Sequence, residues 1–394
     1  MSSVIYALSA DPLTNGHINI VDRALKTFDH VIVAIGINPK KKYTFTLEER
    51  ENLTRKVLVP YGDRITVKSY SGLLSDFAYE NQIFNIVRGA RNAADFDFEK
   101  LLSDINHGLN MGLETFIMIA DSNLSHISSS AVKELEEYQA NNVKDYVPLV
   151  IKEALELKIS GQYRIGLTGG IGCGKSFVES NLMDIYHQRV GFSGFKLKKE
   201  LYTMECIDMD KIGRYILSDS EESVHKKIRH QVAERIGKDL LIDEKIDIPA
   251  LLRCLFGDTN TYSLKPIFEE IMAEPTLHQI RKKLIGVKGI VLISSALFVE
   301  QGVCNLVNNN FIVVNCSEDV RVQRLKGRGY RPSEIKRRLD AQLSSDMKLE
   351  AIKELVREQS CGSIIEFDNS TEIGSRDRIG DLLSTIVNTF EGKL

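Results

Sequence analysis

The sequence predicts an α/β protein in which two consecutive domains each hold a parallel sheet flanked by helices. Short apolar segments alternate with helical patterns along the chain, which is typical of βαβ units. The alternation restarts near residue 160, after the short polar connection 158–162. A length of 394 residues also suits two or three domains. We therefore expect domains at residues 1–160 and 161–394.

The first half contains four strand-like segments rich in valine and isoleucine. We predict these strands at Ser3–Leu8, His30–Ile35, 83–87 and 115–119. A helical pattern occupies residues 18–28, between the first two strands. Thr46, followed by acidic residues, and the serines at 128–130 are typical helix starts. A last helix is expected at 148–157.

The second half repeats the alternation with a different first connection. Strands are predicted at 164–168, 205–209, Gly289–Ser294 and 311–316. A glycine-rich turn follows the first of these strands and leads into a helix at 176–186. The segment 183–205 is long and contains a basic run, and its role is not evident from the sequence.

Composition excludes several classes of protein. The net charge of −3 gives no global attraction for nucleic acid, and no apolar run reaches the ~18 residues of a membrane span. The first eleven residues lack the basic start of a signal peptide. All six cysteines follow residue 172 without a C-x-x-C spacing, which is typical of reduced thiols. We expect a cytoplasmic protein.

The strongest motif is the run GGIGCGKS at 169–176, which matches G-x-x-x-x-G-K-[ST]. Gly169, Gly172 and Gly174 allow backbone N–H groups to surround an anion, and the following helix directs its positive end at the same anion. Lys175 would contact β- and γ-phosphates, and the Ser176 hydroxyl would hold Mg²⁺.

Acidic and basic residues accompany this loop. Asp208 and Asp210 end the next predicted strand, where a carboxylate can take a proton from an attacking hydroxyl or organise magnesium. Arg214 lies one helical turn beyond. An Arg-rich segment comes later and suits a lid that neutralises phosphoryl charge, although a solvated helix face would have the same composition. Its arginines are Arg321, Arg324, Arg328, Arg331, Arg337 and Arg338.

Together these motifs resemble dephospho-coenzyme A kinase over roughly residues 164–390, with Asp368, Asn369 and Ser370 near the end also fitting. The resemblance implies that ATP phosphorylates the 3′-hydroxyl of dephospho-CoA, with Asp210 as general base and Arg214 on the acceptor. It implies an ATP site made of Gly169, Gly172, Cys173, Gly174, Lys175, Ser176, Phe177 and the lid residue Arg328.

The first half carries T-x-G-H at Thr14–His17, between the first strand and the first helix. An imidazole at a helix N-terminus can donate to a phosphate oxygen as charge develops. Basic and hydroxyl residues follow other strands, and parallel strands bring such residues to one crevice. These residues are Lys40, Lys41, Lys42, Arg88, Arg91, Ser128, Ser129 and Ser130.

This set resembles bacterial phosphopantetheine adenylyltransferase over about residues 3–158, a family with a Rossmann-like nucleotidyltransferase fold. The resemblance implies adenylyl transfer from ATP to 4′-phosphopantetheine, with His17, Lys41 and Arg91 in catalytic roles. It places Ser9, Lys41, Leu74 and Arg88 on the pantetheine side. It places Ser9, Ala10, His17, Gly89, Ala90, Arg91, Glu99, Leu124, Ser128, Ser129 and Ser130 on the ATP side.

The two resemblances agree, because the product of the first reaction is the substrate of the second. We expect one chain with both activities, using Mg²⁺, ATP, 4′-phosphopantetheine and dephospho-CoA; a homo-oligomer through the first domain is compatible with this. Two alternatives stay open. Leu8 and Ala10 depart from the family pattern, which would suit a non-catalytic first module beside an active kinase. The nucleotidyl acceptor could also differ, for instance nicotinate mononucleotide.

Overall fold

The structure, a computed structural model, describes residues 2–108, 111–191, 203–256, 264–340, 342–371 and 374–393. The chain divides into two units, Met1–Ile159 and Ser160–Leu394. Both are α/β units built on parallel sheets flanked by helices, as the sequence predicts. The basic run at 196–199, noted in the sequence, lies outside the described residues.

The first unit is built on a five-stranded parallel sheet with the order β3-β2-β1-β4-β5. Its strands are β1 (Ser3–Leu8), β2 (His30–Ile35), β3 (Ile65–Ser69), β4 (Asn85–Ala90) and β5 (Glu114–Ile119). The fourth strand begins and ends slightly later than the sequence pattern indicates, and β3 lies in a segment where no strand is predicted. Because β1 pairs with β2 on one side and β4 on the other, the connections after β1 and β4 diverge and leave a crevice between them.

Helices cover both faces of this sheet. They are α1 (Asn15–Thr27), α2 (Leu47–Leu58), α3 (Leu74–Glu80), α4 (Ala93–Gly108), α5 (Ser129–Glu137), α6 (Val143–Tyr146) and α7 (Leu149–Leu155). A 3-10 helix follows α2 at Val59–Arg64, and a π-helix follows α7 at Glu156–Ser160.

Successive residues of β1 explain the two buried faces. Val4 and Tyr6 belong to the core formed with α1, whereas Ile5 and Ala7 pack with Phe77 of α3 on the opposite face. A strand covered on both sides reads as a continuous apolar run, which is why the sequence pattern locates it well.

The second unit has a five-stranded parallel sheet with the order β12-β11-β6-β10-β7, and a separate short hairpin. The sheet strands are β6 (Gln162–Gly169), β7 (Thr203–Asp208), β10 (Gly289–Ser294), β11 (Asn310–Asn315) and β12 (Ser363–Asp368), and the hairpin strands are β8 (Leu241–Ile242) and β9 (Lys245–Ile246). The central strand β6 is buried along its whole length. Its carboxyl end therefore opens at the middle of the sheet edge.

Helices again flank the sheet. They are α8 (Lys175–Gly191), α9 (Met209–Arg214), α10 (Ser223–Ile236), α11 (Ile248–Phe256), α12 (Leu264–Leu284), α13 (Glu318–Gly327), α14 (Pro332–Asp340), α15 (Ser345–Gln359) and α16 (Ser375–Lys393). A π-helix extends α9 at Tyr215–Asp219, and short 3-10 helices lie at Lys238–Leu240 and Cys304–Val307. Among the described helices, none is both long and apolar enough to cross a bilayer.

Candidate active sites

His17 lies in the first turn of α1, directly after the loop that leaves β1. Its Nδ1 accepts the backbone N–H of Thr14 at 3.0 Å and lies 2.9 Å from the Thr14 hydroxyl. Because Nδ1 is an acceptor for an amide, a neutral imidazole carries its proton on Nε2. The helix start thus fixes the tautomer and leaves Nε2–H as a donor.

The charge state of His17 follows from its surroundings. Desolvation, together with the smaller effects of the nearby cations Arg91 and Lys41, lowers the pKa of His17 to about 4. The imidazole is therefore neutral at pH 7. Arg91 and Lys41 therefore lie near enough to His17 to act on its charge.

Arg88 near the end of β4 forms a bidentate ion pair with Glu99 of α4. Its Nε and Nη2 donate to the two carboxylate oxygens at 2.5 and 2.8 Å, and its Nη1 donates to the carbonyl of Ala7 at 2.6 Å. Burial acts to lower the pKa of Arg88, but the ion pair with Glu99 outweighs it and the pKa is raised. Among the described residues, three of its five N–H groups are engaged, which leaves two able to bind a ligand.

Arg91 follows β4 and is held in a similar way. Its Nε donates to Asp95 at 2.7 Å, and its Nη1 reaches the carbonyl of Ile127 at 3.5 Å. Ser128 caps α5 by accepting the N–H of Ala131, so its oxygen is partly committed to the helix start. The loops after β4 and β5 therefore meet at Arg91.

The loop after β1 also touches the loop after β5. The Ser129 hydroxyl donates to the carbonyl of Pro12 at 2.9 Å, and the Leu124 carbonyl lies beside Gly16. These contacts place Leu124 and Ser129, two of the predicted residues, next to the first turn of α1. Ser130, the last of the predicted serines, is exposed.

The remaining predicted residues of this unit contribute through their backbone atoms or through packing. Ser9 contributes its backbone carbonyl, not its hydroxyl, to the hydrogen bond with Arg50 that is described below. Ala10 adopts a left-handed φ of +50°. Leu74 packs against the core on the α3 face. Gly89 lets α1 approach β4, because a β-carbon there would press on Ile20, and the neighbouring Ala90 is buried.

Arg50 was not singled out by sequence reasoning, yet it organises the crevice. The residue is 2% exposed, and its Nη1 donates to the carbonyls of Ser9 at 2.5 Å and Gly36 at 2.9 Å. Its guanidinium lies 4.0 Å from the centre of the Tyr43 ring. It therefore ties together the chain segments that follow β1 and β2.

Asp11 has a related role on the other side of the loop. Its carboxylate accepts the N–H groups of Thr44 and Phe45 at 3.1 and 2.9 Å and pairs with Lys133 of α5 at 2.9 Å. A buried carboxylate with three partners is fully satisfied. It is a structural connection rather than a free acid.

In the second unit, the glycine-rich loop joins β6 to α8. Gly172 and Gly174 have φ of +81° and +91°, values that favour glycine. At Gly174 a β-carbon would also overlap the side-chain amide of Asn369. The loop places Lys175 at the first position of α8, where its Nζ lies 2.9 Å from the Ser294 hydroxyl at the end of β10.

Asp208 and Asp210 lie where β7 ends and α9 begins. Asp208 caps α9 by accepting the N–H groups of Asp210 and Lys211 at 2.9 and 3.2 Å. Asp210 is exposed, yet its pKa is raised, chiefly by desolvation, with Asp208 adding to the effect and Lys175 opposing it. Of the two acids, Asp210 is therefore the one available to accept a proton, and Arg214 stands exposed one turn later.

Glu179 is an acid that sequence reasoning missed. It lies on α8 one turn after Lys175 and is 7% exposed. Its Oε1 is 3.8 Å from the ammonium of Lys211, which also lies 3.7 Å from Asp208. Its Oε2 is buried and has no hydrogen-bond partner among the described residues. Only helical spacing from Lys175 could have indicated it.

The Arg-rich segment divides into two groups. Arg321 and Arg324 of α13 contact the glycine-rich loop through its carbonyls. Arg328 follows α13 and is exposed, and its side chain makes no hydrogen bond or ion pair with any part of the chain that the structure describes. Beyond it, Arg338 lies 4.5 Å from the Tyr330 ring centre. The structure thus keeps Arg328 available for a ligand and commits the first two arginines to the loop.

Two further members of the predicted ATP set flank the lysine. Cys173 is buried, and burial raises the pKa of its thiol, so the thiol stays protonated and unreactive. Phe177 is 43% exposed on α8, which leaves its ring available to a ligand.

The residues at this site suit a magnesium ion. Ser176 is exposed at the start of α8, and the carboxylates of Asp208 and Asp210 lie at the adjacent strand end. Hydroxyl and carboxylate oxygens are the ligands that magnesium takes, together with substrate phosphates. In the described ranges, groups of three acidic, histidine or cysteine side chains able to hold a metal do not occur. The donor set therefore fits an ion that is shared with a nucleotide.

Comparison with known proteins separates the chain into two matched regions. A cytidylyltransferase-like family model matches residues 6–135, and a dephospho-CoA kinase family model matches residues 196–361. The phosphopantetheine adenylyltransferase of Clostridium perfringens is 40% identical over 156 residues, which are 40% of this chain and 94% of that protein. The corresponding proteins of Hahella chejuensis and Petrotoga mobilis are 38% and 39% identical and are covered to 96% and 94% of their length. Through its first unit the chain belongs to the phosphopantetheine adenylyltransferase family, and its second unit carries a dephospho-CoA kinase domain.

Proposed function

We propose that this chain catalyses the last two steps of coenzyme A biosynthesis. The first unit transfers the adenylyl group of ATP to 4′-phosphopantetheine and releases pyrophosphate. The second unit transfers the γ-phosphoryl group of a second ATP to the 3′-hydroxyl of the resulting dephospho-CoA. The observation that carries the proposal is the neutral His17, whose Nδ1 is bound by the Thr14 amide so that Nε2 carries the proton, within the electrostatic influence of Arg91 and Lys41.

In the first reaction, a phosphate oxygen of 4′-phosphopantetheine attacks the α-phosphorus of ATP as the bond to pyrophosphate breaks. The nucleophile is already an anion at pH 7, so positioning and charge stabilisation suffice. His17 donates Nε2–H to a non-bridging oxygen, and Lys41 and Arg91 neutralise the growing charge. The two unused N–H groups of Arg88 hold the phosphate of the acceptor.

In the second reaction, Asp210 accepts the proton of the 3′-hydroxyl while that oxygen attacks the γ-phosphorus and ADP leaves. The raised pKa of Asp210 brings its basicity closer to neutral pH. Lys175 leaves Ser294 for the phosphates, Arg214 contacts the acceptor, and Arg328 approaches from the lid. Ser176 would hold a magnesium ion together with the nucleotide, and that ion would supply charge neutralisation.

Two variants separate the reactions. His17→Ala should abolish formation of dephospho-CoA while added dephospho-CoA is still converted to CoA. Asp210→Asn should make dephospho-CoA accumulate from 4′-phosphopantetheine. Mass spectrometry of both mixtures measures the products, and equal loss of both steps in either variant would contradict the division of labour.

The alternative of a non-catalytic first module receives little support from the structure. Leu8 continues the regular pairing of β1 with Ile35 of β2, and Ala10 accommodates its left-handed conformation with its side chain buried. A panel of acceptors that includes nicotinate mononucleotide tests the remaining alternative, and preference for that acceptor would overturn the first step as proposed.

We also propose that the first unit self-associates through α4. This helix buries Glu99 and exposes Phe98, Leu101 and Ile105, each more than half accessible and spaced on one side of the helix. A contiguous exposed apolar stripe is typical of an interface. Light scattering should show an oligomer that Phe98→Ser and Leu101→Ser reduce to a monomer; a monomeric unchanged chain would refute this.

We propose that both reactions take place in the cytosol, where thiols stay reduced. Cys173, Cys206, Cys254, Cys304 and Cys316 are free thiols, and burial raises the thiol pKa of Cys173, Cys304 and Cys316. Imaging of the tagged full-length protein tests this placement.

A further inference from the structure

The glycine-rich loop of the second unit is held from behind by side chains that would not touch a nucleotide. A loop that turns its N–H groups toward an anion turns carbonyls the other way, and those carbonyls need donors. The carbonyl of Cys173 accepts two such bonds, from Arg324 Nη1 at 3.1 Å and from Asn369 Nδ2 at 2.9 Å. The carbonyl of Ile171 accepts a third, from Arg321 Nε at 3.2 Å.

Arg324 and Asn369 are also bound to each other. Arg324 Nη2 donates to the backbone carbonyl of Asn369 at 3.0 Å, so α13, the end of β12 and the loop form a closed triangle of hydrogen bonds. Asn369 is 1% exposed, and its amide occupies the space that a side chain at Gly174 would need. The arrangement holds the loop at the residue just before Lys175.

We propose that Arg324 and Asn369 are positioning residues that keep the loop in its phosphate-binding conformation. This inference rests on the kinase function proposed above. Arg324 acts through the Cys173 carbonyl rather than by contact with ATP, and its charge, behind the loop, adds to the positive potential that the phosphates meet. The Arg-rich segment therefore has two roles in this proposal: Arg328 contacts the ligand, and Arg324 supports the loop.

A positioning role and a direct contact predict different ligand dependence. If Arg324 supports the phosphate-binding loop, its loss weakens every ligand with adjacent phosphates, with or without adenosine. If Arg324 instead contacts the adenine, the loss is confined to nucleotides. If it contacts the γ-phosphate as a lid residue, the loss is larger for ATP than for ADP.

The kinase assay with added dephospho-CoA reports on this site alone. We would measure KM for ATP and inhibition constants for ADP and tripolyphosphate in Arg324→Gln and Asn369→Ala. Both variants should raise all three constants by about tenfold, the effect of losing one or two hydrogen bonds of this type, with a smaller change in kcat. Lys326→Gln is the matched control, because it removes one charge from the same helix at an exposed position without a loop contact.

The outcomes separate cleanly. The positioning role would be overturned by weaker binding of ATP and ADP only, or by weaker binding of ATP only. It would also be overturned if all three constants stayed within twofold of those of the unchanged chain. Arg321→Lys, which keeps the charge and disturbs only the Ile171 contact, gives a second measurement if Arg324→Gln fails to fold, and it should raise the three constants together by a smaller factor. An unchanged chain that does not phosphorylate dephospho-CoA would overturn the proposed function, and this inference with it.

Discussion

Protonation of His17 offers the sharpest perturbation of the first site. Its pKa of about 4, against 6.5 for a free imidazole, means that about one molecule in a thousand is protonated there at pH 7. The loss of adenylyl transfer that belongs to His17 should therefore appear only as pH approaches 4, below the fall caused by protonation of the acceptor phosphate at about pH 6. A titration midpoint of His17 at about pH 6.5 would refute the argument that His17 acts as a neutral donor.

The corresponding free energy follows from the same lowering of the pKa of His17. The difference of about 2.5 pKa units corresponds to at most about 3 kcal/mol, since solvent reaches part of the ring. The pKa in the folded chain lies below the unfolded value, so this stabilisation is complete above pH 6.5 and is lost as pH falls toward 4. Carbon-13 NMR of labelled histidine, assigned with His17→Ala, measures the pKa directly.

A charge substitution tests what lowers the pKa of His17. Desolvation is the largest cause of the lowered pKa of His17, and the cations contribute less. Lys41→Gln should therefore raise the pKa of His17 toward 6.5 without reaching it. The resonances of His30 in the same unit should not move. A full return to 6.5 would mean that burial contributes nothing, contrary to the structure.

Three further perturbations test separate contacts. Glu179→Gln removes a carboxylate that raises the pKa of Asp210, so the acidic limb of the kinase pH profile should move to lower pH; a shift to higher pH contradicts this. Arg50→Met removes donors to two carbonyls beside the first site and should lower adenylyl transfer about tenfold with kinase activity unchanged, whereas equal loss of both would indicate unfolding. Lys152→Met breaks the buried ion pair with Glu156 and should cost about 3–5 kcal/mol of unfolding free energy. Lys158→Met breaks an exposed ion pair and should cost less than about 1 kcal/mol; similar melting temperatures would refute the distinction.

Local chemistry explains what the sequence could predict. The strands Ser3–Leu8 and His30–Ile35 are buried on both faces, so their apolar runs are unbroken and their limits agree with the structure. Thr46 begins α2 through reciprocal hydrogen bonds with Glu49, at 2.7 and 3.1 Å, which sequence spacing alone encodes. The glycine-rich loop has a comparably local signature.

Contacts between distant segments explain what the sequence could not predict. Arg324 meets Cys173 across about 150 positions and Asn369 across 45, and no periodicity records such a pairing. The buried state of Glu179 depends on the placement of Lys211 and Asp208. The edge strands β3 and β12 contain polar and charged residues, which obscures their apolar pattern.

The central claim is that one chain performs two consecutive transfers. The direct measurement is a time course with purified protein, 4′-phosphopantetheine, ATP and Mg²⁺, followed by mass spectrometry. Dephospho-CoA should form first and then convert to CoA, with one pyrophosphate and one ADP released for each CoA. A mixture in which 4′-phosphopantetheine persists while added dephospho-CoA is converted would contradict the account, and so would dephospho-CoA that never becomes CoA.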